Sequence, residues 1–243
     1  MTLANKTALI TGGGTGIGAG CALALAREGC AVAIAGRRRD KLADVVKQFH
    51  ATPAIKTHEV DVADRKSVAA LFEWANRELG RIDILVNCAG INVQKRSIYD
   101  LAPEDWDRLM AINVTGAYNC IREVLPQMKD RRDGLIVNIN STAGVRAGLI
   151  GGVAYNASKF AMKALGITVA QEVREIGIRV TNIYPGEVDT PILENRPIPV
   201  SAEHRARILK PEDVAAVLVT IAALPPRANV SEVVIKPTIQ QFA

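Results

Sequence analysis

Apolar positions gather in seven short runs along the chain: Thr7 to Thr11, Ala31 to Ala35, Ile55 to Val60, Ile84 to Asn87, Leu135 to Ile139, Arg179 to Ile183 and Val233 to Lys236. Their length predicts strands, and the near-continuous apolar character of most of them predicts burial on both faces. Between most runs lie longer stretches whose apolar residues recur at helical spacing, as Ile17, Cys21 and Leu25 do. Strand alternating with helix implies right-handed crossovers, hence an α/β fold: a doubly wound parallel sheet of about seven strands with helices on both faces. No linker, internal repeat or low-complexity tract interrupts this order, so residues 1–243 are expected to form a single domain. Ligands of such sheets gather at the carboxyl ends of the strands, and the polar residues there become the candidates.

The first run leads into TGGGTGIG, Thr11 to Gly18, with five glycines in eight positions. Glycine inside an element costs about 0.5 to 1 kcal/mol relative to alanine, and a turn alone needs one or two of them. Placed between a strand and a helix, the missing side chains let a pyrophosphate approach the backbone. The free N–H groups and the positive end of the helix dipole then stabilise its charge. The same pattern also occurs in glycine-rich loops that hold no phosphate.

After the second run, where an NAD fingerprint places an acid for the ribose 2'-hydroxyl, this chain has Gly36, Arg37, Arg38 and Arg39. An acid would repel a 2'-phosphate, whereas a guanidinium offers it charge-assisted, bidentate hydrogen bonds. NADP(H) is therefore expected over NAD(H), with Arg37 as the leading contact and Arg38 beside it. Three cations ahead of a helix that starts near Asp40 also face the positive end of its dipole, an arrangement relieved by an anion. A solvated arginine run is the alternative.

Composition narrows the classes. At 243 residues, 49% hydrophobic and 23% charged, the chain can bury one substantial core. A net charge of +5 and 4% aromatic residues offer little for stacking nucleic acid, so no nucleic-acid partner is expected. Val214 to Leu224, the most apolar later stretch, is too short to span a bilayer and is expected to be a core helix, which leaves no membrane partner. The start of the chain lacks the basic and apolar regions of a secretory signal. Cys21, Cys30, Cys88 and Cys120 are dispersed without a CxxC, which suits reduced thiols in a cytoplasmic protein. His50, His58 and His204 form no zinc-binding pair, so no metal is expected.

YNASK, Tyr155 to Lys159, opens a pattern continued by Ala161, Leu165, Val169 and Val173, which predicts a helix with Tyr155 and Lys159 on one face. Tyrosine, with a pKa of about 10, becomes an efficient acid or base near neutrality when an ammonium beside it favours the phenolate. Lys159 can supply that charge, although such a pair taken alone is usually an ordinary surface pair. Ser141, in NINST, falls where the run Leu135 to Ile139 ends, at the sheet edge where the glycine loop opens. Its hydroxyl there can bind a carbonyl oxygen while Tyr155 donates a proton. A helix cap or turn is the plainer role for it.

Seven motifs in one order carry a family resemblance: TGGGTGIG, DV at Asp61 and Val62, NCAG at Asn87 to Gly90, N-x-TG at Asn113 to Gly116, Ser141, YNASK, and PGEVDT at Pro185 to Thr190. From Leu3 to about Lys236 the chain resembles the short-chain dehydrogenases/reductases of the single-domain, roughly 250-residue branch, which have a Rossmann-type sheet. The resemblance implies that Gly12, Gly16 and Gly18 shape the pyrophosphate turn with Ile17 against the cofactor, and that Asp61 and Val62 contact adenine. Asn87, Ala89 and Gly90 line the cofactor cleft, with Pro185 and Gly186 in the turn beyond, and Val188 and Thr190 fix the carboxamide. Asn113 holds a water that relays protons to Lys159, which also bonds the nicotinamide ribose. Tyr155 is the acid in reduction and the base in oxidation.

Two departures stand out. Cys88 replaces a frequent second asparagine, which puts a sheet-bracing hydrogen bond in doubt. The ending SEVVIKPTIQQFA lacks the VDGG-type close of many 3-oxoacyl-carrier reductases and is more similar to the 3-hydroxy acid or serine dehydrogenase branch. The substrate-covering segment, Pro191 to Arg207, is short, and Pro197 and Pro199 keep it from forming one long helix. Ala143, Val145, Arg146, Leu149 and Glu187 are the expected pocket wall, with Arg146 able to pair with a substrate carboxylate or to stand as a surface arginine. The resemblance implies NADPH-dependent, reversible reduction of a carbonyl (ketone, keto acid or 3-oxoacyl type) by a homotetramer. A lyase or epimerase and a catalytically silent, NADP-binding regulatory protein are the rivals. The first usually carries an extra C-terminal domain, which is not expected in this sequence, and the second has no need of Asn113, Ser141, Tyr155 and Lys159 together.

Overall fold

The structure, a computed structural model, describes residues 2–241; the last two residues of the SEVVIKPTIQQFA ending lie outside them. The strands are β1 (Thr7–Thr11), β2 (Ala31–Gly36), β3 (Lys56–Glu59), β4 (Ile84–Asn87), β5 (Gly134–Ile139), β6 (Ile178–Pro185) and β7 (Glu232–Ile235). They form one sheet in the order β3-β2-β1-β4-β5-β6-β7, all pairs parallel. Each apolar run is a strand. The third is shorter than its run because Ile55 and Val60, both buried, flank an edge strand whose own residues alternate between half-buried and exposed.

Burial on both faces explains the continuous runs. From β1, Ala8 and Ile10 enter one core while Leu9 enters the other. The first core is closed by α1 (Gly16–Arg27), α2 (Arg39–Val46) and α8 (Pro211–Ala223). The second is closed by α3 (Arg65–Leu79), α5 (Gly116–Arg131) and α6 (Val153–Val173). Helix α4 (Pro103–Met110) runs into α5 through a π-helical segment, Ala111–Thr115, and α7 (Ala202–Arg207) lies between β6 and α8. The stretch Val214 to Leu224 is the body of α8, with Val214, Ala215, Leu218, Ile221 and Ala222 in the first core.

Three asparagines stand in register across the middle of the sheet: Asn87 opposite Asn138, and Asn138 opposite Asn182. The Asn87 amide donates to Asn138 Oδ1 at 3.0 Å, and the Asn138 amide donates to Asn182 Oδ1 at 3.1 Å. All three are buried, and α6 lies directly on them: a Cβ on its Gly166 would fall 2.3 Å from Asn182 Oδ1. Buried amides hydrogen-bonded in a row fix the position of whatever rests on them. Here that is the helix carrying Tyr155 and Lys159.

The sheet order reverses direction between β1 and β4. That reversal parts the connections at the carboxyl ends of the strands and opens a crevice there.

Candidate active site

A cleft of about 990 Å³ runs along those carboxyl ends. In its first half β1 turns into α1 through the glycines. Gly12 has φ +68°, and a Cβ there would stand 2.7 Å from the backbone nitrogen of Ala89, so a side chain is excluded both by conformation and by the neighbouring strand. Gly12, Gly16 and Ile17 line the cleft, whereas Gly18 is buried in the first turn of α1 behind them. That turn holds no acid, and its N-cap Thr15 makes no side-chain capping bond, which leaves the helix N-terminus open to an anion.

Arg37 and Arg38 are exposed on the rim of the same cleft, and Arg38 Nη2 reaches Thr15 Oγ1 at 3.5 Å. Arg39 turns away to pair with Glu59 across the next strand. Asp61 and Val62 form the wall beyond, with Asp61 Oδ1 accepting from the Ala63 backbone at 3.0 Å. Ala89, Gly90, Pro185, Gly186, Val188 and Thr190 complete it. Asn87 does not reach the cleft, because its side chain is committed to the asparagine row beneath. A bare glycine turn, an uncapped helix start and two rim guanidiniums together fit a phosphate-bearing dinucleotide.

The second half holds the Ser141 and Tyr155 hydroxyls. Ser141 follows β5 and caps the 3-10 turn Thr142–Gly144, its Oγ accepting from the Ala143 backbone at 3.1 Å. Ser141 therefore caps this turn and lines the cleft as well. Tyr155 and Lys159 lie on the first turns of α6, with Lys159 Nζ 5.6 Å from the Tyr155 ring centre. Lys159 is 4% exposed and donates to the Ile139 carbonyl at 3.1 Å.

Burial pushes the Tyr155 phenol above its ordinary pKa; a hydrogen bond with Ser141 and the charge of Arg96 oppose the rise, while Cys88 adds to it. Burial lowers Lys159 to about 8, with Cys88 opposing. Contrary to the expectation from the YNASK spacing, Lys159 is not among the groups that lower the Tyr155 pKa.

Asn113 lies in the π-helical segment, 1% exposed and off the cleft wall. Its Oδ1 accepts from the Ile91 backbone at 2.8 Å, and its amide donates to the Ile91 carbonyl and to Ser158 Oγ, both at 3.0 Å. The side chain therefore braces the loop after β4 against α6. π-Turns inside α-helices recur at functional sites.

At the substrate end Ala143, Arg146, Leu149 and Glu187 line the cleft, and Val145, at the C-cap of the 3-10 turn, does not. The covering segment comprises a 3-10 turn, Pro191–Asn195, and α7, separated by the stretch that contains Pro197 and Pro199. Two carboxylates from PGEVDT hold it down. Glu187 meets Arg196 at 3.4 Å and His204 Nε2 at 2.6 Å, and Asp189 meets Arg205 at 2.9 Å and Lys210 at 2.8 Å. Burial raises the Glu187 pKa, but its bonds with His204 and Arg196 outweigh that and leave it below the usual carboxylate value. Among the described residues, no group of three or more His, Cys, Asp or Glu side chains is placed to hold a metal ion, and no helix is long and apolar enough to cross a membrane.

The family model for short chain dehydrogenases matches residues 6–199. The chain belongs to the short-chain dehydrogenase family. An uncharacterized oxidoreductase of Staphylococcus saprophyticus is 34% identical over 240 residues, covering 98% of this chain and 99% of that protein. Among solved structures, an alcohol dehydrogenase from the archaeon Thermococcus sibiricus, complexed with 5-hydroxy-NADP, superimposes with a TM-score of 0.88 at 26% identity, covering 98% of this chain and 99% of that one. A 3-ketoacyl-(acyl-carrier-protein) reductase from Brucella melitensis, complexed with NADH, gives 0.87 at 28% identity, covering 96% and 97%.

Three features of this short-chain dehydrogenase escape its motif series. Arg96, 8% exposed, lines the cleft and ties Ile150 to Asn195 on the covering segment. Gln240 returns from the C-terminal end to the PG turn, where its Oε1 accepts from the Glu187 backbone at 2.9 Å. Asn92 donates to the Gly151 carbonyl at 3.1 Å and accepts from Asn195 Nδ2 through its own carbonyl at 3.2 Å. Each of these contacts spans more than fifty residues, so no local signal marks it.

Proposed function

We propose that this chain is an NADPH-dependent oxidoreductase that reduces a carbonyl compound to the alcohol, reversibly. The observation that carries the reading is the meeting of Ser141, Tyr155 and Lys159 in one cleft with the glycine turn and the rim arginines. Gly12, Gly16 and Ile17 would hold the pyrophosphate side of the cofactor, Asp61 and Val62 the adenine, and Val188 and Thr190 the carboxamide. When bound, the nicotinamide supplies or accepts the hydride.

The chain supplies position and the proton. Ser141 binds the carbonyl oxygen, and Tyr155 donates its proton to that oxygen as negative charge develops there. The raised phenol pKa keeps Tyr155 protonated at neutral pH, the form that reduction requires. Lys159 would hold the nicotinamide ribose and, protonated at neutral pH, would place an ammonium beside the phenol as it loses its proton. Asn113 keeps the loop after β4 and the start of α6 at fixed separation.

The guanidiniums of Arg37 and Arg38 on the rim support NADP(H) over NAD(H), as does the 5-hydroxy-NADP held by the archaeal relative, whereas the Brucella protein is complexed with NADH. We read the protein as cytoplasmic and homotetrameric. Tyr155→Phe is expected to lower turnover about 100- to 10,000-fold and to leave NADPH affinity, measured by fluorescence titration, within a few-fold of wild type. Unchanged turnover would remove Tyr155 from the mechanism.

A further inference from the structure

Arg96 follows β4 and is one of the few charged side chains the fold buries, at 8% exposure. Its Nε donates to the Val93 carbonyl at 2.9 Å, Nη1 to Ile150 at 2.6 Å and Nη2 to Asn195. A guanidinium has five N–H donors, so one on Nη1 and one on Nη2 are left over. Every partner is a neutral carbonyl. The Arg196 charge opposes that of Arg96, and Tyr155 favours it only as a phenolate; no carboxylate among the described residues pairs with it. Glu187 on the same wall is engaged by Arg196 and His204, and Glu194 is exposed. A buried cation without a counter-ion is unfavourable, and an anion that enters the site removes the deficit.

We propose that Arg96 forms an anion subsite and that the substrate is a short oxo acid, or its hydroxy acid in the reverse direction, whose carboxylate takes the two remaining N–H donors. This rests on the carbonyl-reductase reading and names the substrate class for it. Because Arg96 lines the same cleft as Ser141 and Tyr155, the anion and the reacting carbonyl belong to one small molecule; the phosphates of a carrier thioester lie many bonds from its carbonyl. The carbonyl carbon takes a hydride from the reduced nicotinamide and its oxygen a proton from Tyr155, giving the hydroxy acid with the carboxylate unchanged. The subsite is distinct from Arg146, which is exposed.

The test is kcat/KM with NADPH for acetoacetate against acetoacetamide and pyruvate against pyruvamide, together with oxoacyl thioesters. The wild type is expected to favour the acid in at least one pair by tens-fold, and Arg96→Met to reduce that acid-to-amide ratio about 10- to 100-fold. Arg96→Lys, which keeps the charge, is expected to retain part of it. Loss of a merely structural tie lowers acid and amide alike, so an unchanged ratio in Arg96→Met overturns the subsite. If that variant does not fold, inhibition of the wild type decides: malonate stronger than malonamide supports the subsite, and equal inhibition overturns it. Reduction of neutral ketones or thioesters without preference for acids overturns the subsite alone. Reduction of none of these carbonyls by protein that binds NADPH overturns the reductase reading with it.

Discussion

At Lys159 the proposed reaction and the fold ask for opposite things. An ammonium beside Tyr155 serves proton transfer, yet the side chain is 4% exposed, and burial brings its pKa from 10.5 to about 8. At 1.36 kcal/mol per pKa unit, the shift corresponds to a destabilisation on the order of 3 kcal/mol when the lysine is charged. The unfolded chain binds more protons than the folded one between these two values. Stability therefore rises with pH through that window, and below about 8 the full penalty is present. Lys159→Met is accordingly expected to melt higher than wild type near neutrality and to lack the wild type's gain in Tm between about pH 8 and 10, while losing activity. Parallel pH profiles of Tm for the two proteins would contradict the assignment. The YNASK spacing makes the pair visible in the sequence; the burial that sets its titration belongs to the surrounding sheet and loops. Arg96 is hidden for a related reason, since its partners Ile150 and Asn195 lie 54 and 99 residues away.

Among the elements, α6 depends on a feature no single segment announces. Asn87, Asn138 and Asn182 come from three strands and meet only through sheet register, so each alone looks like a polar residue at a strand end. Gly166 in turn looks like a weak point in a helix until the amides beneath it are placed. Gly166→Ala is expected to destabilise the protein by about 1 to 3 kcal/mol through overpacking and to lower turnover by displacing Tyr155 and Lys159. Thermal melting and kinetics of the one variant read both, and wild-type behaviour in both would show that α6 does not rest on the row. The inner strands, by contrast, are legible because burial on both faces of a parallel sheet leaves a run of apolar residues that survives without tertiary context, whereas the edge strands β3 and β7 carry a weaker pattern. The glycine turn was legible for the opposite reason: Gly12 and Gly16 hold positive φ, which side chains rarely tolerate.

For the whole molecule, α4, α5 and α6 each leave an aromatic ring partly open, Trp106 at 37%, Tyr118 at 40% and Phe160 at 42% exposure. The sheet edge at β7 leaves Val234 at 44%, and Ile239 beyond it stands at 41%. Under the homotetramer reading these surfaces are covered by other copies of the chain. Light scattering is expected to give the mass of four chains, and a monomeric mass would end that reading. The order of motifs along the chain marked the architecture and most of the cleft wall, because the sheet's switch point gathers loops that are each short and locally recognisable. The clamps on the covering segment were not marked, since Glu187 and Asp189 find Arg196, His204, Arg205 and Lys210 only once that segment has folded back.

The most direct test of the account is loss of NADPH absorbance by the purified protein across keto acids, oxoacyl thioesters, cyclic ketones, quinones and aldehydes, with NADH in parallel and Arg37→Asp beside the wild type. The account predicts turnover of at least one carbonyl class, faster with NADPH, and a loss of that cofactor preference of about 10- to 100-fold in Arg37→Asp. Tight NADPH binding with no carbonyl reduced, or equal use of both cofactors by both proteins, would contradict it.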